Sequence, residues 1–179
     1  AAVLGTAEAL RERPMGRSVV FLLTSVEEEG SYGSAYFLEH SPIPVASIAA
    51  AINLDAGAPL APPRKWYVEG GSLLTMAAAI RRMTADSAWR IETLPMQQSW
   101  DHWSFHARGI PAAFPVPGEG WGTMTPAEEE AAMRRWWRHH RPNDEWDASF
   151  PWSGLRASAE FAIALGRALD ASLAFDGKP

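Results

Sequence analysis

"RSVVFLLTSVEEEG", residues 17–30, sets a block of apolar and β-branched residues directly against three consecutive glutamates. Val19, Val20, Phe21, Leu22 and Leu23 are bounded by turn-forming residues, the pattern of a short strand buried on both faces of a sheet. Adjacent carboxylates repel one another, so Glu27, Glu28 and Glu29 either point into water from a loop or gather around something positive. In open α/β sheets the chemistry collects on loops at the carboxyl ends of strands, which is where this block would put them.

Outward from that stretch, helical and strand patterns alternate. "AAVLGTAEALRER" has apolar residues at helical spacing and is stopped by Pro14 and Gly16. Downstream come a short helix in "GSAYFLEH", a strand around Ile52 to Asp55, a strand in "KWYVEG", and a helix in "SLLTMAAAIRRMTA". A strand in "WRIETLPM", a short helix in "WDHWSFHARG" ended by Gly109, and a strand in "IPAAFPVPG" follow. "TPAEEEAAMRRWWRHH" opens with Thr125, Pro126 and Glu128, a capping-box start, and a last long helix is expected from Ser153 to Leu173. The alternation predicts an α/β fold of three layers, with a mostly parallel, mixed central sheet covered by helices on both faces. No repeat or linker divides residues 1–179, so a single domain is expected.

Composition removes several function classes. Hydrophobic residues make up 47% and charged residues 21%, values that allow a packed core and argue against disorder. The net charge of -5 leaves no basic footprint, and the arginines of "MRRWWRHHR" are flanked by acidic residues, so no nucleic-acid partner is expected. Without cysteine there is neither a disulfide framework nor a thiolate metal site, and any metal must be held by oxygen and nitrogen. No apolar run reaches the roughly 20 residues of a membrane span, and no basic-then-apolar leader opens the chain. Nine tryptophans exceed the needs of one core, which makes Trp100, Trp103 and Trp121 candidates for an apolar pocket wall, with core packing the plainer role for each.

Taken singly, the polar candidates have ordinary explanations. The glutamates fit a solvated loop, Asp55 a turn, and His140 a helix end whose dipole favours it. Together, Glu28, Asp55 and His140 supply the ligand types that zinc accepts, with Glu27 left over for proton transfer, and a cation would relieve the repulsion among the carboxylates. His102 and His106 share one helical face at the spacing of zinc-binding histidine pairs, but Trp103 stands where that motif carries glutamate. "GGS" at 70–72 lacks the strained elbow of a serine hydrolase.

Four segments in order resemble the zinc aminopeptidases of peptidase family M28. "TSVEEEGSYGS" is similar to the family's "AEExGxxGS", "INLDA" to its "NLDM" strand end, "SWDHWSFHARGIPA" to its "SDHxxFxxxGIPA", and "HHRPNDEWD" to its closing "YHxPxDE". The resemblance spans about Ala1 to Leu173 and implies a zinc-exopeptidase architecture acting on peptide substrates. It implies that Glu27 is the general base, that Glu28 and His140 are ligands to one metal, and that Asp55 is a ligand to the other of two zinc ions. Asp101 and His102, in the "DHxxF" match, are expected at the pocket. His139 replaces the family's tyrosine and would donate to the oxyanion of the tetrahedral intermediate. The family's remaining histidine and its metal-bridging aspartate belong to a segment ahead of "AAVLGTAEAL". The resemblance therefore implies an N-terminally truncated catalytic domain with a partial metal site, inactive by itself and needing the missing N-terminal segment of the same protein. Secretion or a periplasmic location is what bacterial members of the family suggest. A glutaminyl-cyclase-like acyltransferase and a non-catalytic binding domain are the alternatives.

Overall fold

A computed structural model describes residues 1–55, 61–85, 89–118, 120–145 and 152–173. Helix α1 (Ala2–Glu12) is followed by α2 (Tyr32–Glu39), a 3₁₀ turn at Val45–Ser47 and strand β1 (Ala51–Ile52). Then come β2 (Trp66–Glu69), α3 (Leu74–Ala85), β3 (Ile91–Leu94), α4 (Trp100–His106), β4 (Ala112–Pro117), α5 (Pro126–Trp136) and α6 (Trp152–Leu173). The sheet runs β1-β4-β2-β3; β1 is parallel to β4 and β3 to β2, whereas β2 and β4 are antiparallel. The sheet is mixed, as expected, with its single antiparallel seam at the centre.

Two prolines set the register around that seam. Opposite β2, Gly118 N donates to Lys65 O at 2.8 Å, in phase with Phe114 and Val116. Pro115 and Pro117 fall on the alternate positions, whose missing N–H would face β1. The β1 side of β4 therefore carries only a short ladder: Ala51 N donates to Pro111 O and Asn53 N to Ala113 O, each at 2.8 Å. Past Asn53 no donor on β4 can continue the pairing. Leu54 and Asp55 leave the sheet, and the strand expected to Asp55 closes as a regular ladder at Ile52.

Side chains alternate across the sheet, so one face of β2 carries Trp66 and Val68 and the other Tyr67 and Glu69. Trp66, Val68 and Ala113 form the main core with Met76, Ala79 and Ile80 of α3 and with Phe161 and Leu165 of α6. Phe161 is fully buried, stacked 4.5 Å from Trp66 and edge-on at 5.2 Å from Trp89. On the opposite face, Phe114 lies 5.0 Å from the Trp100 ring and 5.4 Å from that of His102, which seats α4. Helix α2 packs on α4 through Phe37 against Phe105 and through Ser34 Oγ, 2.9 Å from Ser104 Oγ. Helices thus cover both faces. Trp121 packs in the main core, so its role is structural.

The opening stretch departs from its reading. Residues 17–27 belong to no strand, and Val19, Val20, Phe21, Leu23 and Val26 are exposed at 42, 54, 39, 68 and 53%. β-Branched composition favours a strand only where a neighbour offers backbone partners. Among the described residues the sheet ends at β1, and no strand pairs with residues 18–24.

Replacing Phe161 with alanine should cost about 3–5 kcal/mol, because a fully buried ring is lost from a close-packed site. Urea unfolding of Phe161→Ala measures it; a cost under about 1 kcal/mol would mean that α6 does not hold the sheet as described.

Candidate active site

The glutamate run is folded into a tight turn. Gly30 N and Ser31 N both donate to Glu27 O, at 2.9 and 2.8 Å, and Gly33 N donates to Ser25 O. Val26, Ser31, Trp100 and His140 are the non-glycine residues with positive φ among those described. Val26 adjoins Glu27, Ser31 shares its turn, Trp100 adjoins Asp101, and His140 is itself a candidate. A β-branched valine at φ 59° is strained, and such strain persists only where surrounding contacts impose it.

Helix α5 delivers the histidines. Its start is the expected capping box: Thr125 N donates to Glu128 Oε2 at 2.7 Å, and Glu128 N reaches back to Thr125 Oγ1 at 3.4 Å. Beyond its end, His139 stacks on Trp136 at 5.0 Å and 7°, and the His139 and His140 rings lie 3.8 Å apart. His140 Nε2 is 2.8 Å from Glu28 Oε1, joining the turn after Leu23 to the end of α5 across more than a hundred residues. Both side chains are exposed.

Asp55 and Glu27 share that neighbourhood. Partial burial, then the charges of Asp55, Glu28 and Asp101, push the Glu27 carboxyl above its ordinary value, with His140 opposing. Partial burial also raises Asp55, followed by the charges of Asp101 and Glu28, with His139 and His140 opposing. Asp101 accepts a hydrogen bond from Thr24 Oγ1 at 2.5 Å, and its Oδ1 is buried without a partner. The predicted residues Glu27, Glu28, Asp55, Asp101, His139 and His140 are thus brought within electrostatic reach of one another. Direct contact is limited to Glu28 with His140 and His140 with His139.

Zinc fits this donor set by chemistry. Glu28 and His140 offer an oxygen and a nitrogen at one point, and Asp55 is held among like charges that a cation would relieve. Among the described residues, however, no three acidic or histidine side chains converge closely enough to hold a metal. The site is therefore a fit in ligand type and incomplete in ligand number.

His102 does not line a pocket. It is 1% exposed, and its Nε2–H donates to Glu69 Oε1 at 2.9 Å; the same oxygen accepts from Gln97 N at 2.6 Å. A buried carboxylate can only accept, so the imidazole donates from Nε2, and burial lowers its pKa against the pull of Glu69, keeping the ring neutral. His102 gives its Nε2 to Glu69 and its Nδ1 is buried without a hydrogen-bond partner, while the His106 ring meets Trp103 at 5.3 Å. Glu69 was not singled out from sequence, where a glutamate closing "KWYVEG" reads as a strand end meeting solvent. A cleft of about 310 Å³ opens on the α6 face between Arg64, Trp66, Trp89 and Glu160, and none of the candidate residues lines it.

The model of Peptidase family M28 matches residues 1–166. The chain belongs to that family. No curated protein matches the sequence. The fold is similar to an aminopeptidase from Aneurinibacillus sp. strain AM-1, with 18% identity and a TM-score of 0.65 over 96% of this chain and 37% of that one. It is similar to a zinc aminopeptidase from Bacillus subtilis, with 19% identity and a TM-score of 0.58 over 98% of this chain and 40% of that one. The Legionella pneumophila LapA aminopeptidase matches with 18% identity and a TM-score of 0.64 over 94% of this chain and 44% of that one. The M28 chain described here therefore spans less than half the length of these structures. No helix among its described residues is long and apolar enough to cross a membrane.

Removing the His102 ring should leave the buried Glu69 carboxylate with Gln97 N as its donor and cost about 1–3 kcal/mol for the lost hydrogen bond in His102→Ala, with His102→Gln, which keeps a donor, costing less. Because burial lowers the imidazole pKa, the stability linked to its neutral form is present above the ordinary value of about 6.5 and is lost as pH falls below it. Urea midpoints measured from pH 7.5 downward should therefore decline in the parent chain and decline less in His102→Gln. Equal pH slopes in the two would contradict a neutral, buried imidazole.

The raised Asp55 carboxyl works in the opposite sense. Its contribution is most favourable while protonated and is lost as pH rises through its folded pKa, so Asp55→Asn should raise the neutral-pH melting midpoint and have no effect near pH 3. The gain should be no more than about 2 °C, since exposed charges are screened. A lower midpoint at pH 7, measured by calorimetry without metal, would show that Asp55 is stabilised where it stands.

Proposed function

We propose that the chain is the catalytic-domain portion of a zinc-dependent exopeptidase that trims peptides from the amino end, with Glu27 as general base. The observation carrying this reading is the 2.8 Å contact of Glu28 with His140 beside Glu27 and Asp55, in a chain that belongs to family M28. Glu28, His140 and Asp55 would hold the metal. When bound, zinc supplies Lewis acidity that makes water a stronger acid and a carbonyl a better electrophile.

The residues of the chain do the rest. Burial and neighbouring carboxylates raise the Glu27 carboxyl above its ordinary value, the direction that makes it a stronger proton acceptor. Glu27 takes the proton of the attacking water and delivers it to the leaving amine. His139, its ring plane fixed between Trp136 and His140, donates an N–H to the oxyanion. Asp101, tied to Thr24, keeps negative charge beside Glu27 and so supports its raised pKa.

Two converging ligands fall short of the three that catalytic zinc sites use. In this reading the histidine and the bridging aspartate come from an N-terminal segment of the same protein, and the parent protein is secreted or periplasmic. The 179 residues alone should accordingly bind zinc weakly in calorimetric titration and leave aminoacyl-nitroanilides uncleaved. The longer natural polypeptide should bind zinc tightly and cleave them until chelator is added. Tight zinc binding with hydrolysis by the 179 residues alone would refute the incomplete site. In the longer polypeptide, Glu27→Gln should lower kcat by about 10²–10⁴ with zinc retained. His139→Ala should lower kcat more than it raises KM, and an unchanged kcat would remove His139 from the reaction.

A further inference from the structure

We infer that Arg138 and Arg141 bind a carboxylate of the substrate, so that the site favours peptides carrying a negative charge one residue beyond the scissile carbonyl. The inference rests on the peptidase reading above and adds to it the class of peptide preferred.

One turn sets the geometry. Arg141 N donates to Arg138 O at 2.8 Å, so residues 138–141 close a β-turn with His139 and His140 at its corners. The Cα atoms at the feet of such a turn lie within about 7 Å of one another. His140, with φ 62°, reaches Glu28 Oε1 at 2.8 Å, and the His139 ring lies 3.8 Å from that of His140. An arginine therefore stands on either side of the two histidines at the candidate site.

Both guanidinium groups are available. Arg138 and Arg141 are exposed, and among the described residues neither has an ion pair or a side-chain hydrogen bond, although Asp144 and Glu145 follow a few residues on. Arg134, one turn earlier, is by contrast held by Glu130 at 3.0 Å. Two unpaired positive charges beside a reaction centre, in a chain of net charge -5, form a local cationic rim. Neither arginine belongs to the pattern shared with family M28: Arg141 occupies an open position of "YHxPxDE" and Arg138 precedes that segment. The preference is thus a property of this chain.

A carboxylate is the group that suits the rim, since the planar guanidinium fork matches its two oxygens. Consecutive Cα atoms are about 3.8 Å apart, so a carboxylate on the residue after the scissile bond lies one step from the carbonyl that His139 would polarise. Arg138 and Arg141 are rooted one and two positions from His139 and can span that step. The terminal carboxylate of a dipeptide and an acidic side chain at the same residue offer the same chemistry.

Steady-state cleavage by the zinc-loaded natural polypeptide that carries this chain tests the inference with four substrates. Leucylglycine and leucylglycinamide differ in the terminal carboxylate, and the amides of leucylglutamate and leucylglutamine in the side-chain one. At low salt, kcat/KM should be at least about 5-fold higher for the anionic member of one pair or both, as expected of two partly exposed charge contacts. A gain in the first pair alone assigns the rim to a chain terminus, and in the second alone to an acidic side chain. The gain should shrink as ionic strength rises from about 0.01 to about 1 M, which shortens screening from about 30 to about 3 Å. In Arg138→Gln/Arg141→Gln the anionic-to-neutral ratio should fall toward unity, and in Arg138→Glu/Arg141→Glu it should fall below unity, an inversion that misfolding cannot produce. Equal kcat/KM within both pairs in the parent protein, or a ratio that neither double variant alters, would overturn the inference while leaving the peptidase reading in place. No chelator-sensitive cleavage of any of the four would remove both.

Discussion

A proline has no N–H to give, and the arrangement of this sheet follows from where β4 puts two of them. Pro115 and Pro117 sit out of phase with the bonds to β2, so the antiparallel seam is intact while the β1 side of the strand runs out of donors after Ala113. Had the prolines fallen one residue earlier or later, the seam itself would have lost donors. As it stands, the chain after Asn53 is released, and Asp55 can join the charged neighbourhood instead of continuing a ladder.

The two faces of the sheet are then used differently. Trp66, Val68 and Ala113 meet α3 and α6 in an apolar core, and the opposite face carries a buried ionisable pair, Glu69 with His102, between β2 and α4. Burying such a pair is weak as a source of stability, but it is specific in geometry: with Gln97 N on the same oxygen, it fixes where α4 lies. Asp101, the residue just before His102 on that helix, is thereby held against Thr24 and near Glu27 and Asp55. The site is an assembly of unfavourable parts, with like charges gathered and positive φ at Val26 and His140, and this is where a fold spends stability for chemistry.

Legibility differed from residue to residue for physical reasons. The capping box at Thr125 was readable because it is satisfied within three residues. Helices α1, α3 and α6 were readable because their apolar stripes recur within the element. The strand expected in "SVVFLL" failed because strand formation depends on a partner elsewhere, and the composition of a segment carries no information on whether that partner is at hand. His102 was expected at a pocket and is a buried bond donor, since its role depends on Glu69, thirty-three residues away.

By itself, the order of residues determined the α/β alternation, the extents of α1, α3 and α6 and the placing of Glu27, Glu28, Asp55 and His140 in a pattern similar to family M28, because each is encoded by local periodicity or short spacing; the helix expected to close at His140 instead ends at Trp136. Only the tertiary structure decided that Glu28 meets His140, that Glu69 claims His102, and that residues 18–24 stand unpaired. Those outcomes turn on which distant groups come within about 3 Å, the range in which hydrogen bonds form or fail.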